Sequence, residues 1–140
     1  MKTEQILNLD YRKEENKEII QKVLRKIKPL SKYSDEEQIP LEAIEKLIRV
    51  LTQKYMITPQ WMNMAFKAGE SNIYSIGVKT TTDHKWLGNV YGMCLYEVFA
   101  KLAIKMYSEV KAGRIKEATL TKEEKQRESI AKRIEKEEVE

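Results

Sequence analysis

The chain reads as an α+β domain: three N-terminal helices, a two-stranded antiparallel β-hairpin, a long packing helix and a charged C-terminal helix. Three observations predict this. Apolar residues recur at spacings of three and four over residues 13–28, 40–55 and 93–112, the signature of amphipathic helices. The period shortens to two around Tyr74, Ile76 and Val78, as in a half-buried strand. Prolines and glycines stand at the boundaries between these stretches.

Residues 1–12 hold Ile6, Leu7, Leu9 and Tyr11 without sustained periodicity and read as a lead-in, either extended or the approach to a helix. Ile19, Ile20, Val23, Leu24 and Ile27 then form one stripe that Pro29 ends, because proline lacks the N–H and disfavours helix in the residue before it. The polar run 31–38 reads as a loop, with Pro40 as the first residue of the second helix. Leu41, Ile44, Leu47, Ile48, Leu51 and Tyr55 mark that helix, and Val50 widens its buried face. Thr58-Pro59 resembles a hydroxyl cap followed by a first-turn proline. It predicts a short third helix with Trp61, Met62, Ala65 and Phe66, closed by Gly69.

The hairpin follows. Its first strand alternates Tyr74, Ile76 and Val78 with Ser75, Gly77 and Lys79, and its second runs from Trp86 to Tyr91 after a loop of about four residues. Trp61 and Trp86 read as core or near-core, and Tyr74 and Tyr91 as cross-strand neighbours. Gly88 and Gly92 leave room for a bulge or a close backbone approach. Leu95, Val98, Phe99, Leu102, Met106 and Val110 line the long helix, with Gly113 just past its end. Thr121 and Glu124 form a capping box that opens the charged helix, whose strong apolar residues are only Ile130, Ile134 and Val139. The domain therefore spans 13–115, with 116–140 as a charged helical tail.

The 140 residues, 41% hydrophobic and 34% charged, suit one folded domain and argue against a disordered chain. No apolar run reaches the roughly 20 residues that span a bilayer, and the polar N-terminus lacks a signal core. A cytoplasmic location follows as the expectation. Glycines are too scattered for a phosphate loop or dinucleotide fingerprint, and one histidine excludes histidine-pair motifs. One cysteine excludes an internal disulfide framework and a Cys-rich zinc site. The Asp83, His84 and Cys94 set fails as a nucleophilic triad because a strand of roughly 20 Å separates the histidine from the cysteine. Cys94 reads instead as a small buried residue. No cofactor is expected, and the chain reads as a non-enzyme.

Charge gives one lead. The net charge is +4, and the basic residues cluster on two helices. Lys22, Arg25 and Lys26 on the first, with Lys101, Lys105, Lys111 and Arg114 on the last, would form a phosphate- or partner-binding face if the helices lie side by side. The hairpin gives another. Proline is absent from residues 72–80, so the hairpin edge is open to a second copy or a partner strand. Tyr74, Ile76 and Tyr91, with Ile130 and Ile134 in the tail, are the candidate interface residues.

The block from Pro40 to Gly113 resembles small phage-encoded proteins with an α-β-β-α "ABA sandwich" domain. The likeness is carried by Tyr74-Ser75-Ile76-Gly77-Val78, by Trp86-Leu87-Gly88-Asn89-Val90-Tyr91-Gly92, and by a helix opening Leu95-Tyr96-Glu97-Val98. In that family a strand with glycine near its end runs straight into an alanine-rich helix, as Gly92 leads here toward Ala100 and Ala103. The resemblance covers about half the chain and is a pattern rather than a motif. It implies a viral or mobile-element origin and brings no catalytic residues. The expected function is a non-enzymatic protein-interaction module that modulates or inhibits a host-defence or nucleic-acid enzyme. The alternative is a weak, sequence-nonspecific nucleic-acid binder.

Overall fold

The computed structural model describes residues 1–68 and 71–118, the side chains of 61–73 excepted. The lead-in forms a short helix, α1 (Thr3–Leu7), which buries Ile6. Helix α2 (Glu14–Arg25) follows, with Glu14 and Glu15 in its first turn and Lys22 and Arg25 in its last, matching its dipole. Pro29 sits in a 3-10 turn, Lys28–Leu30, that buries Leu30. Helix α3 (Leu41–Lys54) buries Ile44, Leu47, Ile48 and Leu51, the predicted stripe, and Val50 lies at its margin.

The third predicted helix is a strand. Strand β1 (Ile57–Ala68) pairs antiparallel with β2 (Ser71–Thr80), which pairs antiparallel with β3 (Trp86–Gly92). The sheet therefore has three strands in the order β1-β2-β3. The misreading has a physical cause in the register. Met62 faces Ser75 and Ala65 faces Tyr74, so two residues of β1 bulge out between them. That insertion spaces equivalent positions 61 and 65, and 62 and 66, four apart, which imitates a helical repeat. Pro59 is tolerated because β1 is an edge strand, where one row of N–H groups needs no ladder partner.

Helix α4 (Leu95–Lys111) is the hub. It packs on β2 and β3 on one side and on α1, α2 and α3 on the others. Val98, Ala100, Leu102, Ala103, Ile104 and Met106 are all buried, which is why its apolar face is wider than one stripe. Ile20 and Leu24 of α2, Ile57 of β1, Ile76 and Val78 of β2 and Val90 of β3 complete the core. Full burial of each such side chain is worth about 1.5–3 kcal/mol.

Polar contacts fix the loop between the 3-10 turn and α3. Gln21 Nε2 donates to the Tyr96 hydroxyl at 2.6 Å, Tyr96 donates to the Ile39 carbonyl at 2.6 Å, and the Ile39 N–H donates to Gln21 Oε1 at 3.0 Å. This ring lets buried Gln21 cost little. Tyr11 stacks on Tyr96 with ring centroids 6.2 Å apart. Burial pushes both phenols above their ordinary value, so both hydroxyls stay protonated.

Beyond α4 the chain returns to the sheet. Ile115 is buried, Met56 N–H donates to the Lys116 carbonyl at 2.8 Å, and Ala118 N–H donates to the Lys54 carbonyl at 2.9 Å. The Tyr55–Glu117 bridge between them ties residues 116–118, just past the expected boundary at 115, to the α3–β1 junction. The predicted helix over 121–138 lies outside the described residues.

Candidate interaction surface

Strand alternation divides the sheet. Ile76 and Val78 face α4, so Ser75, Gly77 and Lys79 of β2 and Asn89 and Tyr91 of β3 occupy the outer face. Trp86 joins them, opposite Lys79, because a register shift between Val78 and Lys79 brings it to that side. Its indole packs on Gly77: a Cβ there would overlap the outer edge of the ring. Only glycine leaves that space, and the indole rests on strand backbone with 46% of the residue exposed. Tyr91 is 51% exposed. Between the two rings, Asn89 Nδ2 donates to Ser75 Oγ at 3.0 Å, bridging β2 and β3 under the surface.

The turn beside Trp86 is held firmly. Thr80 Oγ1 donates to Asp83 and accepts from the Lys85 N–H at 2.9 Å, and Thr80 N–H donates to the Lys85 carbonyl. The Thr80 hydroxyl holds the Asp83 carboxyl below its ordinary value. His84 takes a left-handed φ of 53° and is exposed. At the far end of the sheet Met93 and Leu95 are exposed and extend the apolar surface around the β3–α4 corner. Cys94, expected to be buried, is exposed and caps α4, its Sγ accepting from the Glu97 N–H at 3.4 Å. The length of β3 separates it from His84, and Asp83 is engaged by Thr80.

The predicted interface residues divide. Tyr91 lies on the outer face. Tyr74 faces Gly92 rather than Tyr91, shares the α4-facing alternation of Ile76 and Val78, and is exposed. Ile76 is buried against the core and cannot meet a partner. Ile130 and Ile134 lie outside the described residues. The hairpin edge at residues 72–80 is also corrected: β2 is the central strand and β1 occupies that edge. Among the described residues, β3 is the strand of the hairpin that keeps an unpaired edge, and it is kinked at Gly88, where φ is +118°.

The basic residues do not form one face. Lys101 is 4% exposed, its ammonium 2.6 Å from Glu97 Oε2 and 2.9 Å from the Leu9 carbonyl. Its burial follows from α4 being packed on several sides. Lys105 and Arg114 both pair with Glu109, at 3.1 and 3.0 Å. Burial raises the Glu109 carboxyl, but the Arg114 and Lys105 hydrogen bonds outweigh it and hold the group below its ordinary value. Arg25 turns onto the Asp35 and Glu37 carbonyls. Lys22, Lys26 and Lys111 are exposed, but at opposite ends of α4. Gln21 touches Tyr96 in its first turn, and Lys111 lies fifteen residues on, roughly 22 Å along the axis.

Sequence reading missed this outer face because it depends on the Gly77–Trp86 contact, a diagonal one that only the register shift between Val78 and Lys79 creates; a mid-strand glycine facing a hairpin tryptophan was the available signal. Among the described residues no three His, Cys, Asp or Glu side chains converge as a metal site, and no helix is long and apolar enough to cross a membrane. No protein-family model matches the sequence, and comparisons with characterised proteins and with solved structures give no match.

Proposed function

We propose that the protein is a non-enzymatic interaction module that binds another protein through the outer sheet face centred on Trp86 and Tyr91. The observation that carries this reading is the indole whose outer ring edge packs on Gly77, on the same face as an exposed tyrosine. Tryptophan and tyrosine dominate binding energy at protein interfaces because they bury large rigid area at little entropic cost. A fixed ring loses less freedom on binding than a mobile one. The resemblance to phage α-β-β-α proteins supports a host-defence or nucleic-acid enzyme as the partner, in the cytoplasm of a host cell, though the third strand departs from that pattern.

The second reading is weak, sequence-nonspecific binding of single-stranded nucleic acid. Lys79 and Lys85 flank the same aromatic face, and bases stack on exposed rings. The protein reading is preferred because Lys101, Lys105 and Arg114 are neutralised by carboxylates. A homodimer is a third reading, through a sheet edge, where the hairpin contributes the short β3 strand.

Co-purification from the native cell, with wild type and Tyr91→Ala compared, tests this. A defined partner retained by wild type at about 0.3 M salt, where charges are screened beyond roughly 6 Å, and lost from Tyr91→Ala is the expected result. Oligonucleotide binding that collapses as salt rises would replace it with the nucleic-acid reading. Recovery of the bare monomer alone would overturn both the partner and the dimer.

A further inference from the structure

We infer that the groove between the 3-10 turn and α3 is a docking site for an acidic, leucine-bearing peptide segment. The groove holds about 330 Å³. That is the lower end of the range of ligand sites, about 300–1,000 Å³, and room for one or two side chains. Its floor is apolar: Leu30 and Leu47 are buried beneath it, and Tyr33 and Val50 stand at its margins. Pro29 and Pro40 frame it. Neither has an N–H to offer, so the walls present ring carbons rather than donors.

Charge selects the occupant. Lys32 and Lys46 line the groove against a single acid, Glu42, and Lys28 is exposed next to Pro29. Among the described residues neither Lys32 nor Lys46 is in an ion pair. The Lys32 ammonium stands 5.4 Å over the Tyr33 ring, which holds it at the groove wall. An apolar floor with unneutralised lysines above it is complementary to an apolar side chain flanked by carboxylates. A lysine-rich or neutral segment would leave both ammonium groups unmatched. The groove lies in the helical layer and does not depend on the reading of the sheet face.

The test is a titration of the ¹⁵N-labelled full chain with a capped hexapeptide of alternating glutamate and leucine, followed by NMR. Saturable shifts at the amides of Leu30, Tyr33, Leu47 and Val50 are expected. Replacing the peptide's glutamates by glutamine, or substituting Lys32→Glu with Lys46→Glu, should weaken binding about tenfold. Both lysines are exposed, so the double variant keeps the fold and its remaining spectrum. Equal binding of the glutamine peptide, displacement by octanoate, shifts centred on Trp86 and Tyr91, or no saturation would each overturn the proposal. The sheet-face reading stands or falls separately, because Tyr91→Ala should leave this titration unchanged.

Discussion

Lys101 carries its charge into a site that admits almost no solvent, where Glu97 and the Leu9 carbonyl receive it. Glu97 in turn accepts from the Met93 N–H at 2.9 Å, so one buried pair joins the α1–α2 connection, the β3–α4 corner and the hub helix. Removing one member of such a pair leaves an uncompensated charge. Lys101→Met should cost about 3–5 kcal/mol in urea unfolding. Adding Glu97→Gln should recover part of that loss, since an amide oxygen still accepts from Met93. A cost below about 1 kcal/mol for the single variant would show that the pair is solvated. Asp10 is the exposed counterpart. The Arg12 guanidinium, with the Arg12 backbone N–H, holds its carboxyl at about 2, against an ordinary 3.8. The folded value is depressed, so its contribution is present above pH 3.8 and fades as pH falls toward 2. Arg12→Ala should return the carboxyl midpoint, followed by NMR, toward 3.8.

At the scale of elements, the outer sheet face depends on one missing methyl. Gly77→Ala places a Cβ inside the Trp86 ring volume, and the half-exposed ring can swing away where backbone could not. The expected outcome is a stability loss of about 1–2 kcal/mol, a shifted Trp86 indole N–H resonance and lost partner retention. An unmoved resonance would mean that the ring does not rest on β2. Helices α2, α3 and α4 and strand β2 were legible because each keeps a period of 3.6 or 2; β3 was legible as a strand, but the irregularity opposite Val78 and Lys79 that moves Trp86 to the outer face was not. Strand β1 was not, because its two-residue bulge converts the strand repeat into spacings of four, and Thr58-Pro59 has the chemistry of a helix start. Local sequence carried both signals. Pairing with β2 decided between them.

For the whole molecule, the arrangement around α4 explains what the charge count concealed. Counting basic residues gives a positive α4, but packing on several sides buries Lys101 and matches Lys105 and Arg114 to Glu109. The Glu97–Lys101 and Lys105–Glu109 spacings were readable as neighbours on one helix. Their burial, and the placing of the free lysines toward opposite ends of α4, was not, because both depend on how α2 packs on α4. The same holds for the groove, whose walls come from segments on either side of a polar loop. The order in which these parts leave the ribosome matters too. Each described helix and strand that packs on the hub precedes it in the chain, so α1 through β3 emerge before the helix that covers their apolar faces. At bacterial and eukaryotic translation speeds the first 94 residues take roughly 5–20 s to make. Throughout that interval the nascent chain carries apolar faces without the helix that covers them, so the core can close only once α4 has emerged.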